Sequence, residues 1–318
     1  FVVGLLAALD NAWLVMTRTV LTDGFMVLFG FGAVWAYLRH RRTGQARWVL
    51  AAALLAGLGL AVKWTALSFL GIILAFEAVR LWRERDAAPV WRPVAVLVLP
   101  VAVYVAVFAL HFALVKPAPG ADPGIVARAE LPFVQRLAVQ NHTMWLVSSH
   151  MMTPHNYASR WYDWPFMMRP IDFWARYDGP RVQRIYLLGN PVVWWATGYA
   201  VLFLLVNFVP KLPDLLARRR PPPAGPAELF IVGGFLANLL PFTVIARVMF
   251  IYHYLPALGF ALLGLGLLLD RCGRHARWLS AALLALGAAA FVYFAPLSYG
   301  TEITREQFEA RIWMPSWR

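Results

Sequence analysis

The sequence is poor in charged residues and in cysteine, and each shortage excludes classes of protein. Charged side chains make up 14% of the 318 residues and hydrophobic ones 61%. Soluble domains carry about 25% charged and about 45–50% apolar residues, so an ordinary soluble domain is excluded. Cys272 is the single cysteine, which excludes a disulfide within the chain and a cysteine-based metal site.

Sequence motifs of several common enzyme classes are also missing. The chain contains no P-loop, GxGxxG, GxSxG or HExxH pattern and no nucleic-acid-binding motif. His142, His150 and His155 lie in one segment without an accompanying acidic ligand pattern. We therefore predict no metal site, and a histidine site in that segment is the weaker alternative.

Apolar runs of membrane-spanning length are abundant. A helix of about 20 mostly apolar residues crosses a bilayer. We predict an all-α polytopic membrane protein with nine spans, of which the two short ones beside Lys63 could instead form one bent hairpin. The predicted spans are 1–16, 24–38, 48–62, 64–80, 93–115, 191–209, 228–245, 250–269 and 278–296.

The formal charge of +13 indicates how the chain is oriented in the membrane. Four connecting segments hold 15 of the 29 cations, namely 39–47, 80–92, 211–223 and 270–277. With nine crossings all four lie on one side, which the positive-inside rule assigns to the cytoplasm. Orientation in the membrane then explains most of the excess positive charge, so the charge does not indicate a nucleic acid partner. The Arg-rich, Ala- and Gly-rich composition suggests a bacterial gene and hence the bacterial cytoplasmic membrane, with the C-terminus outside.

The same arrangement places a long aromatic-rich loop on the outer face. We divide the chain into a membrane part (1–115), this outer loop (116–190) and a second membrane part with an outer tail (191–318). Apolar residues at helical spacing in 131–152 predict an amphipathic helix on the membrane surface. In the alternative interpretation, the loop only packs its aromatic side chains over the helix ends.

Three cations from separate segments are predicted at the outer face. Arg18, Lys63 and Arg247 suit the phosphate of a lipid-linked substrate, because such side chains bind phosphate oxygens directly. Two plainer interpretations stay open. Lys63 could extend to the interface without a ligand, and Asp10 or Asp23 could form a local ion pair that holds a helix hairpin.

Several runs of the sequence, in the expected order, resemble the protein O-mannosyltransferase family. DNAWLVMTRTVLTDGFMVLF (10–29) resembles its helix–loop–helix, and LGLAVKWTAL (58–67) resembles its Lys-Trp element. HNYASRWYDWPFMMRPIDFW (155–174) resembles its outer-loop signature, with Asn156 where the family usually has proline. LLGNPVVWW (187–195), RVMFIYHYLPAL (247–258) and the tail over 296–317 follow the same pattern.

This resemblance implies a GT-C fold of eleven spans, of which the nine predicted here would be the third to the eleventh. It implies transfer of mannose, with inversion, from a polyprenyl-phosphate or dolichyl-phosphate carrier to Ser or Thr hydroxyls of exported proteins at the outer face. The partners would be this lipid-linked donor, a secreted acceptor protein and the bilayer. No further cofactor is implied, and a dimer is compatible with the resemblance.

The resemblance also assigns roles to residues. Arg18 would bind the donor phosphate, assisted by Lys63 and Arg247. Residues that match family motifs would shape the site, namely Asp10, Asp23, His155, Trp164, Arg169, Asn190, His253 and Tyr254. In the alternative interpretation, Trp164 and Pro165 are structural, and Asn190 with Pro191 only caps the next helix.

One element of the family is missing from the sequence. Its presumed catalytic base is the Asp of an Asp-Glu pair between the first two spans, and no Asp-Glu pair occurs here. Because the chain starts at Phe1 within an apolar run, we expect that base upstream of Phe1 and expect the present chain to be inactive alone. The alternatives are a related GT-C transferase with another sugar or a lipid or glycan acceptor, a transporter, and a non-catalytic partner subunit.

Overall fold

The computed structural model describes residues 1–19, 21–83, 91–150, 153–213 and 225–318. The chain divides into two compact units. The first unit comprises residues 1–24, 154–244 and 248–318, and the second comprises 25–153 and 245–247. The charged stretches 84–90 and 214–224, which belong to the predicted cytoplasmic segments, lie outside the described residues.

Helices dominate both units. In chain order they are α1 Val2–Ala8, α2 Asn11–Arg18, α3 Asp23–Thr43, α4 Ala46–Val62, α5 Leu67–Arg83, α6 Trp91–Leu114, α7 Pro123–Glu130, α8 Phe133–His150, α9 Pro191–Phe208, α10 Pro226–Leu239, α11 Leu255–Arg271, α12 Ala276–Tyr299 and α13 Arg305–Glu309. Helices α4 to α8 belong to the second unit, and α3 begins at the end of the first.

Local sequence signals set several helix ends. Asp10, Asp122 and Asn190 cap α2, α7 and α9 by accepting a backbone N–H near the start of each helix. Helices α7 and α9 then continue with a proline, whose missing N–H costs nothing in the first turn. Helix α12 ends at Gly300, whose positive φ of 68° is accessible to glycine without strain.

The first unit also contains a three-stranded antiparallel sheet. Strands β1 (Ile171–Asp178) and β2 (Arg181–Leu187) form a hairpin in the predicted outer loop, and the two-residue β3 (Ile303–Thr304) pairs with β2. The amphipathic segment 131–152 does contain a helix, α8. The hairpin was not predicted, so the helical description of the outer loop applies only to its first part.

Six helices of the described residues are long and apolar enough to cross a bilayer: Trp64–Leu81, Trp91–Leu114, Pro191–Lys211, Pro226–Thr243, Ile251–Arg271 and Gly273–Tyr299. They correspond to the last six predicted spans. Helices α2 and α3 would make a seventh if counted as one span, whereas α4 is shorter. The predicted span 1–16 is wrong as a single helix, because α1 ends before Asp10 and α2 starts after it. The count of nine spans is not confirmed.

Close helix packing in each unit depends on glycine. A Cβ atom on Gly234 of α10 would lie 2.2 Å from the Phe260 ring of α11. In the second unit, a Cβ atom on Gly57 of α4 would lie 2.9 Å from the backbone of Pro100 in α6. Both helix pairs therefore approach more closely than a larger side chain would allow.

Candidate active site

Asp10 lies at the break between α1 and α2 and is completely buried. Its Oδ1 accepts the N–H of Trp13 at 3.0 Å, and its Oδ2 accepts the backbone N–H of Asn190 at 2.8 Å and the indole N–H of Trp194 at 2.7 Å. Three N–H donors compensate a buried carboxylate for the water it has lost. Asp10 therefore joins the start of the chain to the start of α9.

Asn190 makes the complementary connections from the α9 side. Its side-chain oxygen accepts the N–H of Val192, and its Nδ2 donates to the carbonyls of Leu9 and Gly287, both at 2.8 Å. The capping role that the sequence offered as an alternative is thus observed. In addition, this one side chain links α1, α9 and α12, which a cap alone would not do.

Arg18 ends α2 and is held against the end of α12. Its Nη1 donates to the Ser298 carbonyl at 2.9 Å, and its guanidinium lies 4.8 Å from the centre of the Tyr299 ring. Asn11 of the same helix donates to Ser298 Oγ at 2.9 Å, which fixes α2 on α12. Among the described residues no carboxylate forms an ion pair with Arg18, so its other N–H groups remain available for an anion.

Asp23 is the remaining predicted residue of the 10–24 segment. Asp23 is buried in the first turn of α3, where an acidic side chain is favourable to the helix dipole. Asp10 accepts hydrogen bonds from the N–H groups of uncharged residues. Within the described part of the chain, these bonds and not a local ion pair hold Asp10 between α1 and α2.

The outer-loop signature forms a buried aromatic cluster with the segment before α11. The Trp164 indole donates to Ser159 Oγ at 2.9 Å and stacks on His253, with ring centres 5.8 Å apart. Phe242 packs against both rings. All three rings are buried, so Trp164 and His253 belong to one packed cluster, and their predicted part in shaping the site stays a prediction.

Tyr254 lies next to this cluster in the core of the first unit. It is fully buried, with its ring centre 5.3 Å from that of Trp194, the residue that donates to Asp10. Its hydroxyl has no hydrogen-bond partner within the described residues. Tyr254 therefore packs against Trp194 and helps to hold its indole in place.

Arg169 and His155 lie on the exposed side of the outer loop. Arg169 donates to the Asn156 carbonyl at 2.7 Å, and His155 accepts the N–H of Tyr157 at 3.2 Å. The His155 ring also meets the edge of Phe250, with ring centres 5.0 Å apart. These contacts stabilise the local loop shape and leave both side chains at the surface.

Lys63 and Arg247 belong to the second unit, whereas Arg18 belongs to the first. Lys63 is half-buried at the end of α4, where its extended backbone (φ −160°) ends the helix. Arg247 is also half-buried. The convergence of all three cations on one phosphate stays a prediction.

A hydrogen-bond chain beside Lys63 was not predicted from the sequence. The Trp64 indole donates to the Tyr104 hydroxyl at 3.1 Å, and that hydroxyl donates to Asn141 Oδ1 at 2.5 Å. The chain connects the Lys-Trp element to α6 and α8. Nothing in the sequence pairs these three residues, because 40 and 37 positions separate them.

An ion pair in the hairpin was missed as well. Arg184 Nη1 lies 2.9 Å from Asp172 Oδ2, and the guanidinium also donates to Tyr177 and Tyr186 and packs on Phe308. Burial raises the pKa of Asp172, with Arg184 acting in the opposite direction. Burial also raises the pKa of Tyr186 to about 12. The cluster joins the hairpin to α13.

No group of three or more His, Cys, Asp or Glu side chains is arranged for a metal ion in the described part of the chain. His142 and His150 lie on α8, and His155 lies on the loop that follows.

Two family models match the chain. Residues 1–116 match the model described as dolichyl-phosphate-mannose-protein mannosyltransferase, and residues 133–317 match the C-terminal four TMM region of protein-O-mannosyltransferase. The second match alone covers more than half of the chain.

Curated relatives agree with these matches. The chain is 30% identical to dolichyl-phosphate-mannose–protein mannosyltransferase 1 of Saccharomyces cerevisiae, over 58% of this chain and 24% of the relative. It is 32% identical to protein O-mannosyl-transferase 1 of Mus musculus, over 51% of this chain and 24% of the relative. The chain thus spans about a quarter of the length of these relatives.

A solved structure shows the same fold. A chain of the S. cerevisiae protein O-mannosyltransferase Pmt1–Pmt2 complex bound to the sugar donor matches with a TM-score of 0.82 and 15% identity, over 100% of this chain and 76% of that chain. The likeness confirms the predicted GT-C-like helical membrane fold. Taken with the two family matches and the apolar helices, it shows that the chain is a multi-pass membrane protein of the protein O-mannosyltransferase family.

Proposed function

We propose that this protein transfers mannose from a polyprenyl-phosphate or dolichyl-phosphate carrier to Ser or Thr hydroxyls of exported proteins, with inversion at the sugar. The observation that carries the proposal is the match of family models to both parts of the chain, 1–116 and 133–317. Its partners are the lipid-linked donor, the acceptor protein and the surrounding bilayer. A second copy or a related subunit is a further partner that the Pmt1–Pmt2 complex suggests.

The chemistry requires charge stabilisation at the carrier phosphate. When the sugar leaves, the lipid phosphate gains negative charge, and cations already in position lower the barrier. Arg18 suits this role, because one N–H is held by Ser298 and the ring of Tyr299 supports the guanidinium plane. The remaining N–H groups face no carboxylate among the described residues. Lys63 and Arg247 add positive charge in this proposal.

Asp10 is unsuited to accept the hydroxyl proton. A base must reach the attacking hydroxyl, whereas this carboxylate is completely buried and is held by three N–H donors. In our proposal Asp10 and Asn190 hold the start of α2 against the start of α9. The position of α2 in turn determines where Arg18, its last residue, lies.

We place the protein in the bacterial cytoplasmic membrane with Arg18 and the C-terminus on the outer face. Support comes from the cationic segments, which alternate with the apolar runs so as to lie on one side. Acceptor hydroxyls of exported proteins would then meet the donor after translocation.

Arg18→Ala tests the role of Arg18 directly. Membranes that contain the full-length protein are given labelled polyprenyl-phosphate-mannose and a Ser/Thr peptide, and labelled peptide is measured. We expect a loss of rate of about 100-fold or more, the usual effect of removing one group that stabilises charge in a transition state. Arg277→Ala is the matched control, since Arg277 is also stacked on an aromatic ring, that of Trp278, at 5.3 Å.

Different results separate the parts of the proposal. Wild-type-like transfer by the Arg18→Ala protein contradicts the phosphate role of Arg18. Transfer by the unchanged protein from a donor with another sugar, but not from the mannose donor, contradicts the mannose assignment and favours a related transferase.

A further inference from the structure

We propose that the second unit binds the phosphate head group of an anionic phospholipid of the bilayer, in a cavity formed by the end of α6, the connection that follows it, α7 and α8. The inference is independent of the proposed sugar transfer. The cavity has a volume of about 520 Å³, within the usual range of ligand sites. Neither Lys63 nor Arg247 lines it.

The cavity wall is positively charged. Lys116, Arg128 and Arg136 line it, and among the described lining residues none is acidic. None of the three forms an ion pair within the described part of the chain. Three like charges around one cavity repel each other unless an anion lies between them, and Arg and Lys bind phosphate oxygens.

The structure holds the central cation in place. Arg136 Nη1 donates to the Ala129 carbonyl at 3.3 Å, and its guanidinium lies 4.1 Å from the centre of the Phe112 ring. The hydrogen bond between Tyr104 and Asn141 fixes α8 on α6 next to this point. A cation fixed by its surroundings loses little freedom when it binds a ligand.

The rest of the cavity fits the junction between a lipid head group and its chains. Val115 and Ile125 add apolar surface to the lining and are about half exposed, at 50% and 48%. Gln140 and Thr143 add polar groups suited to ester and hydroxyl oxygens. The cavity also follows directly on α6, a helix long and apolar enough to cross a bilayer, so its end is expected near the membrane surface. Basic pockets next to membrane helices bind anionic head groups in this manner.

Part of the cavity wall lies outside the stretches that the family models match. The two models cover residues 1–116 and 133–317, which include Lys116 and Arg136, whereas α7 with Ile125 and Arg128 belongs to neither.

The test measures lipid binding to the purified full chain by native mass spectrometry. The detergent-solubilised protein is titrated with phosphatidylglycerol, and with phosphatidylcholine as the neutral lipid. In the double variant Lys116→Gln, Arg128→Gln we expect phosphatidylglycerol affinity to fall about fivefold for each cation removed, with phosphatidylcholine binding unchanged. Arg136→Gln, which removes one cation, is a second and independent variant. We expect its phosphatidylglycerol affinity to fall about fivefold.

The matched control is the double variant Arg160→Gln, Arg176→Gln, which removes two exposed cations outside the cavity. Equal phosphatidylglycerol affinity in the cavity and control variants would overturn the proposal. Full displacement of phosphatidylglycerol by an equal amount of polyprenyl phosphate would overturn it in favour of a carrier-lipid site. Displacement by inorganic phosphate alone would show that the lipid chains contribute nothing, and would also overturn it.

Discussion

At the scale of single residues, the buried hydrogen bonds of Asp10 predict a large effect of its substitution on stability. Asp10→Asn replaces one carboxylate oxygen by an NH₂ group, which at Oδ2 would face the N–H groups of Asn190 and Trp194. Buried donors would then lose their acceptor. We expect the free energy of unfolding to fall by about 2 kcal/mol, measured as a lower thermal midpoint in detergent.

Asp178→Asn is the control for this prediction, since Asp178 is exposed on the hairpin. Its substitution should change stability by less than about 0.5 kcal/mol. Equal thermal midpoints for the Asp10 and Asp178 variants would show that the three hydrogen bonds of Asp10 do not contribute to stability.

The residue scale also shows how far a sequence can assign roles. Asp10, Asn190 and Arg18 are identifiable from the sequence. Charged and amide side chains are costly within apolar runs, so their presence indicates a structural or functional role. The role of Asp10 was not predictable, since it depends on partners 180 and 184 positions away. A position in the sequence carries no record of such distant hydrogen bonds.

At the scale of elements, the stability of the hairpin depends on the protonation of the buried Asp172, which lies beside Arg184. Burial raises the pKa of Asp172 above its usual 3.8, with Arg184 opposing, so the folded hairpin holds this proton more strongly than the unfolded chain. The contribution of Asp172 to stability is therefore fully present below pH 3.8 and is lost as pH rises through the raised pKa. We expect hydrogen exchange of the β1–β2 amides, corrected for intrinsic rates, to show less protection above this window.

Two variants check that Asp172 causes this pH dependence. Asp172→Asn carries no titrating proton, so protection of the hairpin should become independent of pH in the same range. Asp178→Asn, at the exposed end of β1, should keep the wild-type pH dependence. Protection that rises with pH in the unchanged protein would contradict the assigned direction.

Helix packing gives a second prediction for elements. Gly234→Ala places a methyl group in the Phe260 ring, where a Cβ atom would lie 2.2 Å from the nearest ring carbon. Overpacking of this kind costs about 1–3 kcal/mol, so the thermal midpoint in detergent should fall. Gly233→Ala is the matched control, because a Cβ atom there meets nothing within 4 Å. A Gly233 variant less stable than the Gly234 variant would contradict this view of α10 and α11.

The elements that could be predicted from the sequence are those with a long apolar run. The six long apolar helices were predicted because hydropathy alone marks a membrane-length run. The break at Asp10 was missed, since apolar residues continue on both sides and the interruption depends on distant N–H donors. The hairpin 171–187 was missed because its aromatic and charged residues lack a clean alternation, and its register contains an irregularity between Asp172 and Trp174.

For the whole molecule, the charge distribution predicts which side of the membrane each connection occupies. The described part of the proposed cytoplasmic face includes Arg271 at the end of α11, Arg274 in the connection that follows, and Arg277 at the start of α12. Glu228 pairs with Arg271 and Lys211, which joins two of the four cationic segments at the ends of their helices. Two cationic segments held by one carboxylate belong on the same side of the bilayer, as the positive-inside rule requires.

Cys272 offers a direct test of this orientation. It is the single cysteine of the sequence and is exposed in the connection after α11. A membrane-impermeant maleimide should label it in inside-out vesicles and leave it unlabelled in intact cells. The control variant Cys272→Ser, Asp178→Cys moves the thiol to the hairpin, which the same orientation places outside, and should reverse both results. Labelling of Cys272 in intact cells would place the cationic segments outside, and with them would overturn the outer location of Arg18 and of the proposed transfer reaction.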